Sequence, residues 1–94
     1  PDPIAEKLGV KGVIIEKVMP GTPAAKANLR GVSVDRMGQL HLGDVIVGVN
    51  GKPVKSYSDI YNALEDMAPG SSVILNVYRK GKVYRLKIKT IELS

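Results

Sequence analysis

The chain has 94 residues, a formal net charge of +5 and no cysteine, tryptophan or phenylalanine. This length suits one domain with a single hydrophobic core, and it excludes a two-barrel serine protease or a nucleotide-binding enzyme with a separate substrate domain. Because cysteine is absent, a disulfide framework and a thiolate metal site are excluded as well. With 44% hydrophobic and 24% charged residues, the composition is that of an ordinary soluble globular domain with an aliphatic core.

The N-terminal stretch predicts a short helical turn followed by a strand. Pro1-Asp2-Pro3 does not open a signal peptide, and no apolar run is long enough for a membrane span. The chain begins as though it were cut from a longer protein. Ile4 to Leu8 predicts about one helical turn. Gly12 to Val18 predicts the first strand, with two apolar faces, and Pro20-Gly21 ends it.

A small helix with its own capping residues follows this strand. Thr22 suits the N-cap position and Pro23 the first helical position, and three alanines keep the helix slim enough to lie close to a sheet. Asn28 ends the helix, because asparagine tolerates a left-handed backbone better than other non-glycine residues. Leu29 is expected to fold back onto the core.

The middle of the chain predicts a long loop and then the central strand. From Arg30 to His41 the periodicity is lost, which indicates a surface loop with a short hairpin around Met37-Gly38. Gly43-Asp44 predicts a turn, Val45 to Val49 a β-branched strand, and Asn50-Gly51 a hairpin turn. Because this strand is apolar on both faces, it needs cover on both sides and is expected at the centre of the sheet.

The third quarter of the chain contains the strongest helix signal. Ser56 is the predicted N-cap, Asp59 completes an approximate capping box three residues later, and Pro69-Gly70 terminates the helix.

The C-terminal region predicts two strands joined by a tight turn. The strands are Ser72 to Tyr78 and Lys82 to Ile91, and the turn is Arg79-Lys80-Gly81. The last strand alternates between an apolar and a mostly cationic face. The apolar face carries Tyr84, Leu86 and Ile88, and the other face carries Val83, Arg85, Lys87 and Lys89.

Four segments in this order and spacing resemble a PDZ domain of the permuted type that follows the trypsin-like domain of HtrA/Deg proteases. They are PGTPAAKANL, LGDVIVGVNGKPV, SYSDIYNALEDM and PGSSVILNVYRKGK. The resemblance covers nearly the whole chain, residues 1–94. It implies a mainly β fold with two helices, in which a small, partly open β-barrel or sandwich of about five strands in permuted order is capped by one short and one long helix.

Two departures from the usual family pattern are visible. Asn28 stands where the family usually has glycine, which the same left-handed backbone explains. The link between Leu29 and Gly43 is longer than usual, and Asp35 to Leu40 within it resembles the Deg proteases of photosynthetic organisms and some other bacteria.

The resemblance implies that the domain binds a peptide by adding it as a strand beside the helix. On a helix, positions 57, 61 and 64 share one stripe, and positions 60, 63 and 67 share the adjacent one. By the resemblance, the first stripe faces the ligand, so Tyr57, Tyr61 and Leu64 are expected to line the peptide pocket, while Ile60, Ala63 and Met67 are expected to enter the core. The alternative is that all six residues cover the sheet as one wide apolar face.

PDZ domains hold the terminal carboxylate of the peptide with backbone N–H groups of a short apolar-Gly-apolar loop. Leu8-Gly9-Val10 has these residue types, but it resembles the connector into the first strand more than the loop itself. By the resemblance, the carboxylate loop and its strand are expected upstream of Pro1, so that this chain holds the helix wall of the groove and part or none of the strand wall.

Nothing in the sequence predicts catalysis, a metal or a cofactor. His41 is the only histidine, and it is interpreted as a loop or strand-entry residue. Asp44 is interpreted as a turn residue, and there is no Gly-x-Ser-x-Gly elbow. In this family the serine protease chemistry belongs to another domain, so the chain is expected to be non-catalytic.

Two alternatives to peptide binding come from other classes of function. The positive charge of the C-terminal hairpin suits a polyanion binder, but without an aromatic stacking platform we prefer a strand whose charge blocks aggregation. The long loop suits a module that contacts its own protease domain and sister subunits. The cations of the C-terminal hairpin, on which the polyanion alternative depends, are Arg79, Lys80, Lys82, Arg85, Lys87 and Lys89.

The family also implies partners and a compartment. The partners would be C-terminal or extended segments of unfolded proteins. The chain is expected to bind no nucleic acid and to have no membrane span. The compartment would be extracytoplasmic, either a periplasm or a thylakoid lumen.

Overall fold

The computed structural model describes residues 12–65 and 67–89. The predicted turn at Ile4 to Leu8, the Leu8-Gly9-Val10 motif and the end of the last predicted strand lie outside the described residues. The elements in chain order are β1 (Val13–Ile14), α1 (Pro23–Lys26), β2 (Ser33–Val34), β3 (Leu40–His41), β4 (Val45–Val49), β5 (Lys52–Pro53), α2 (Tyr57–Leu64), β6 (Ser72–Arg79) and β7 (Lys82–Lys89).

These strands form two open antiparallel sheets. The larger sheet has the order β1-β4-β6-β7, with β5 paired to β4, and the smaller sheet is the hairpin of β2 and β3. The prediction of a mainly β fold with two helices is confirmed. Among the described residues, the sheets do not close into a barrel. Strands β2 and β3 have two residues each, as does β5, which the sequence does not predict.

Strand β4 lies at the centre of the large sheet, as predicted. Four of its five residues are buried, including Val45 and Val49, with 2% and 0% of their surfaces exposed. It pairs with β1 and β5 on one side and β6 on the other, and the register shifts between Ile46 and Gly48. The main core cluster is aliphatic and consists of Ile46, Val49, Val54, Val73, Leu75, Val77 and Ile88.

The first strand is shorter than the predicted segment from Gly12 to Val18. Its ladder with β4 ends after Ile15, whose N–H donates to the Asp44 carbonyl at 3.0 Å. The next carbonyl, that of Glu16, instead accepts from the N–H of Val32 at 2.9 Å. The chain leaves β4 because the long loop takes over as its hydrogen-bonding partner.

The predicted hairpin within this loop is present. Ser33 pairs with His41 and Val34 with Leu40. Asp35 holds the turn, because its Oδ1 accepts from the N–H groups of Met37 and Gln39, both at 2.9 Å.

The caps of the small helix α1 are those that the sequence predicts. Thr22 Oγ1 accepts from the Ala25 N–H at 3.2 Å, and Pro23 is the first helical residue. Asn28 is left-handed with φ 63°, and Leu29 packs against the main core cluster.

Helix α2 begins as predicted but ends earlier. Ser56 accepts from the Asp59 N–H at 3.4 Å, and Asp59 accepts from the Lys55 N–H at 2.9 Å. The helical ladder ends with Glu65 N–H bonded to the Tyr61 carbonyl at 3.0 Å. A tighter bond from the Met67 N–H to the Leu64 carbonyl then turns the chain, well before Pro69-Gly70.

Candidate functional site

An apolar groove of about 740 Å³ lies between α2 and the large sheet. Its floor is formed by core residues, so the groove opens directly onto the hydrophobic interior. The floor residues are Leu29, Ile46, Val73, Leu75 and Ile88. A groove of this size and composition is typical of sites that hold small ligands or peptide side chains.

One wall of the groove is α2, and the structure places Tyr57, Tyr61 and Leu64 together on it. The two tyrosines are largely exposed, at 75% and 64%, whereas Leu64 is partly buried and packs against the core. A helix presents positions i, i+4 and i+7 on one face, which is why these three side chains share the wall. The exposure of the tyrosines does not fit the alternative of a single apolar face that covers the sheet.

The neighbouring stripe of the helix has a mixed role. Ile60, Ala63 and Met67 all pack against the main core cluster, as predicted. Ile60 and Met67 also line the groove. These two side chains therefore contact both the core and the groove. The sequence predicts only the contact with the core.

The far end of the groove is formed by the start of α1, through Thr22, Pro23 and Ala24. Sequence reasoning missed this contribution. The signal in the sequence is the run of small residues, which predicts only that the helix lies close to the sheet. The charged residues of the lining are one acid and one base, Glu65 and Lys89, so the groove has little net charge.

A second concave region, here called the cationic cavity, measures about 820 Å³ and shares no lining residue with the groove. It is lined by residues 17–18, 30–33, 40–44 and 79–80. The long loop thus forms much of its wall. The cavity is not visible in the sequence, because its lysines and arginines come from three separate segments that only the fold brings together.

A buried ion pair lies at the base of this cavity. Asp44 is fully buried and accepts from Arg79 Nε at 2.6 Å and Arg79 Nη2 at 2.8 Å. Asp44 also accepts from the Arg30 N–H at 2.9 Å, and Arg79 Nη2 donates to the Asn28 carbonyl at 3.0 Å. The hydrogen bond with Asp44 raises the pKa of Arg79 further above its ordinary value. This pair fixes the loop onto the sheet. Asp44 therefore does more than form a turn, which is the role that the sequence predicts for it.

His41 lies on the exposed hairpin in β3, in agreement with its interpretation as a strand-entry residue. Its Nε2 lies 2.8 Å from Oδ2 of Asp35, and this contact, followed by the backbone bond from Gln39, lowers the pKa of Asp35. Within residues 12–65 and 67–89, histidine and carboxylate side chains form no group of three that could hold a metal ion. In the same part of the chain, no helix is long and apolar enough to cross a membrane.

Comparison with known protein families gives a direct match. A family model described as a PDZ domain matches residues 4–90. Among curated proteins, Protease Do-like 1 of the chloroplast of Arabidopsis thaliana is 42% identical over 79 residues, covering 84% of this chain and 18% of the relative. A probable periplasmic serine endoprotease, DegP-like, of Chlamydia muridarum is 38% identical over 84 residues, covering 89% of this chain and 15% of the relative.

Solved structures share the fold. A serine endoprotease from Yersinia pestis superposes with a TM-score of 0.66 at 27% identity, covering 89% of this chain and 29% of that one. The HtrA3 PDZ domain, described as bound to a phage-derived ligand FGRWV, superposes with a TM-score of 0.68 at 22% identity, covering 94% and 73%.

The chain spans less than a fifth of the length of these curated relatives. The part that it shares with them matches a PDZ domain, which is not itself a catalytic domain. Together with the sheet order, the two helices and the groove beside α2, the match shows that this chain belongs to the PDZ domain family and is similar to the Deg/HtrA serine proteases.

Proposed function

We propose that the chain is the peptide-binding, regulatory PDZ module of an HtrA/Deg-type serine protease. It would recognise apolar C-termini or extended segments of misfolded proteins, which would lie as an added strand in the groove beside α2. The observation that carries the proposal is the apolar groove itself, open to solvent between α2 and the core, with two exposed tyrosines on its wall.

Different residues of the groove would contact different parts of the peptide. Leu64 beside the floor residues Leu75 and Ile88 would receive the terminal apolar side chain, and burying such a side chain contributes about 2 kcal/mol. Tyr57 and Tyr61 would form the rim, because a phenol can cover an apolar ligand while its hydroxyl stays in water. Main-chain hydrogen bonds would supply the rest of a micromolar affinity, about 8 kcal/mol in total.

The carboxylate end of the ligand needs backbone N–H donors. By the family resemblance, they would come from a loop and strand upstream of Pro1, and Leu8-Gly9-Val10 is the alternative within the chain. The two arrangements differ in what the chain binds alone, because only the second would hold a free carboxylate without an upstream extension.

The parent protein would carry the protease domain, and this module would deliver substrates to it or regulate it. The relatives support this role, since they are named as proteases of a periplasm or a chloroplast. We accordingly propose an extracytoplasmic location, either a periplasm or a thylakoid lumen.

An NMR titration tests peptide binding directly. The probe is FGRWV, the peptide bound to the HtrA3 PDZ domain, with a free C-terminal carboxylate and again with an amide. Shifts at Tyr57, Tyr61 and Leu64 that are lost on amidation are expected for a chain extended upstream of Pro1. The same result with residues 1–94 alone would assign the carboxylate loop to the chain itself. No response from either chain would refute peptide binding in this groove.

A second candidate function is contact with the protease domain or with a sister subunit. The hairpin of β2 and β3 favours it, because Val34, Met37 and Leu40 are 64%, 87% and 62% exposed. The double variant Val34→Ser/Leu40→Ser in the full-length protein should change its oligomeric state or domain arrangement, as measured by light scattering and small-angle X-ray scattering. Val83→Ser, at a position 61% exposed on β7, is the matched control. Identical behaviour of all three proteins would exclude this surface.

A further inference from the structure

The groove and the cationic cavity differ sharply in charge. The groove lining contains one acid and one base, whereas the cavity lining contains four permanent cations, Lys17, Arg30, Arg79 and Lys80. The acid in the cavity lining is Asp44. Two concave surfaces of similar size on one small domain therefore offer a ligand opposite kinds of chemistry.

Asp44 does not neutralise the cavity. It is fully buried, and both its oxygens are already engaged by the Arg79 guanidinium and the Arg30 N–H. Among the described residues the ion pairs are Asp44 with Arg79 and Asp35 with His41. The exposed side chains of Lys17, Arg30 and Lys80 thus have no carboxylate partner within that part of the chain. Three cations that share one concave surface produce a positive potential that attracts an anionic ligand.

From this arrangement we infer that the cationic cavity is a second binding site, for an acidic segment of a partner protein. The segment would carry one apolar side chain and at least two carboxylates, which would lie among the three cations Lys17, Arg30 and Lys80. The cavity is lined by Val18 and Val32 and by Leu40, which is 62% exposed, so it offers an apolar side chain a surface beside the cations.

The lining favours a peptide over a nucleic acid. Proteins that bind single-stranded nucleic acid stack its bases on several aromatic side chains. Within the described residues, the cavity lining holds one aromatic ring, that of His41, and no tyrosine. Charge complementarity with carboxylates, combined with aliphatic contacts, is typical of protein–protein recognition and mainly gives specificity and a fast association rate.

The test uses a peptide that cannot enter the groove by its terminus. The probe is Ac-EELEE-NH2, and the control peptide is Ac-QQLQQ-NH2. Both ends are capped, so binding does not depend on any carboxylate loop, and failure here is distinguishable from failure of the proposed function. In a ¹⁵N NMR titration, the acidic probe is expected to shift amides within residues 30–33, 40–44 and 79–80, with residues 57–64 unaffected. The glutamine peptide is expected to give no shifts.

Charge-reversal variants then locate the site. Lys17→Glu/Lys80→Glu should weaken binding of the acidic probe by about tenfold, because two attractive charge pairs become repulsive. Lys52→Glu/Lys55→Glu makes the same change in net charge at exposed positions outside the cavity lining and should retain most of the affinity. Equal weakening by both variants, shifts centred on Arg85, Lys87 and Lys89, or no binding of the acidic probe would each overturn the site. Tighter binding of a thymidine oligonucleotide at the same residues would overturn the protein partner.

Discussion

The carboxylate of Asp44 and the guanidinium of Arg79 meet through two parallel hydrogen bonds, although the two residues are 35 positions apart in the chain. The Asp44 side chain is fully buried, and the Arg79 side chain is 15% exposed. Arg79 also lies over the ring of Tyr84, 5.2 Å from its centroid. A planar guanidinium matches a carboxylate in this two-point geometry, whereas an ammonium group would not.

Removing Arg79 should strongly destabilise the domain. In Arg79→Ala the buried charge of Asp44 loses its partner, and we expect the free energy of unfolding to fall by about 3 kcal/mol. Urea denaturation measures this change. Arg85→Ala, on the exposed face of the same hairpin, should cost about 0.5 kcal/mol or less. Equal losses in the two variants would show that the buried pair contributes nothing beyond ordinary packing.

A charge on the groove wall should abolish peptide binding without unfolding the domain. Tyr61→Asp places a carboxylate beside an apolar ligand, and because Tyr61 is 64% exposed the stability should change by about 0.5 kcal/mol or less. The measurement is the NMR titration with FGRWV on the chain extended upstream of Pro1. Asn62→Asp, one position along the same helix but outside the groove lining, should bind normally. Leu64→Asp should also abolish binding, with some loss of stability because Leu64 packs on the core. Normal binding by Tyr61→Asp would show that the ligand does not lie against this wall of the groove.

The left-handed residue after α1 should accept glycine and reject alanine. Asn28 has φ 63°, a conformation that costs an alanine about 1 kcal/mol. Asn28→Gly should therefore leave the unfolding midpoint nearly unchanged, and Asn28→Ala should lower it. Thermal denaturation of the two variants makes the comparison. A larger loss for Gly than for Ala would refute the role of the backbone conformation.

Gly43 is expected to tolerate no side chain. A methyl group there would overlap the carbonyl oxygens of Arg30 and Gly31, which are backbone atoms and cannot rotate away. Gly43→Ala should destabilise the domain by about 2 kcal/mol, measured by urea denaturation. At Gly48 the added methyl group would meet the side chain of Asn76 instead, so Gly48→Ala should cost less. The reverse order would contradict the close approach of the loop to Gly43.

The turn of the β2–β3 hairpin should depend on acid pH. The contacts with His41 and Gln39 lower the pKa of Asp35 below its ordinary value of 3.8. The stabilisation is therefore present above pH 3.8 and is lost as the pH falls through the lower folded-state pKa. The amide shifts of Met37 and Gln39, followed by NMR, should show a transition below pH 3.8. In Asp35→Asn this transition should disappear. A transition that persists in the variant would have to be assigned to another group.

The elements that the sequence predicts correctly depend on local chemistry. Thr22 and Ser56 cap helices because a hydroxyl beside the first turn satisfies its N–H groups. Asn28 and the Asn50-Gly51 turn are visible in sequence because few residues adopt their backbone conformations. The spacing of Tyr57 and Tyr61 places them on one wall of the groove for an equally local reason. What they bind remains a proposal.

The features that sequence reasoning missed depend on contacts between distant segments. The sequence could not pair Asp44 with Arg79, because the choice among many cations is made by the sheet register. The same holds for the cationic cavity and for the contribution of Thr22 to the groove. The first strand ends early because the Glu16 carbonyl accepts from Val32, a choice of partner that apolar periodicity does not encode.

The bond from the Asp44 N–H to the Arg30 carbonyl, at 2.8 Å, closes the long loop at its base. The intervening residues therefore begin and end at the same place, and their number does not affect the path of the sheet. Doubling the length of such a closed loop costs only about 0.6 kcal/mol. The tip of the β2–β3 hairpin should therefore tolerate an inserted sequence, such as an epitope or a fluorescent reporter, without a change in the groove beside α2.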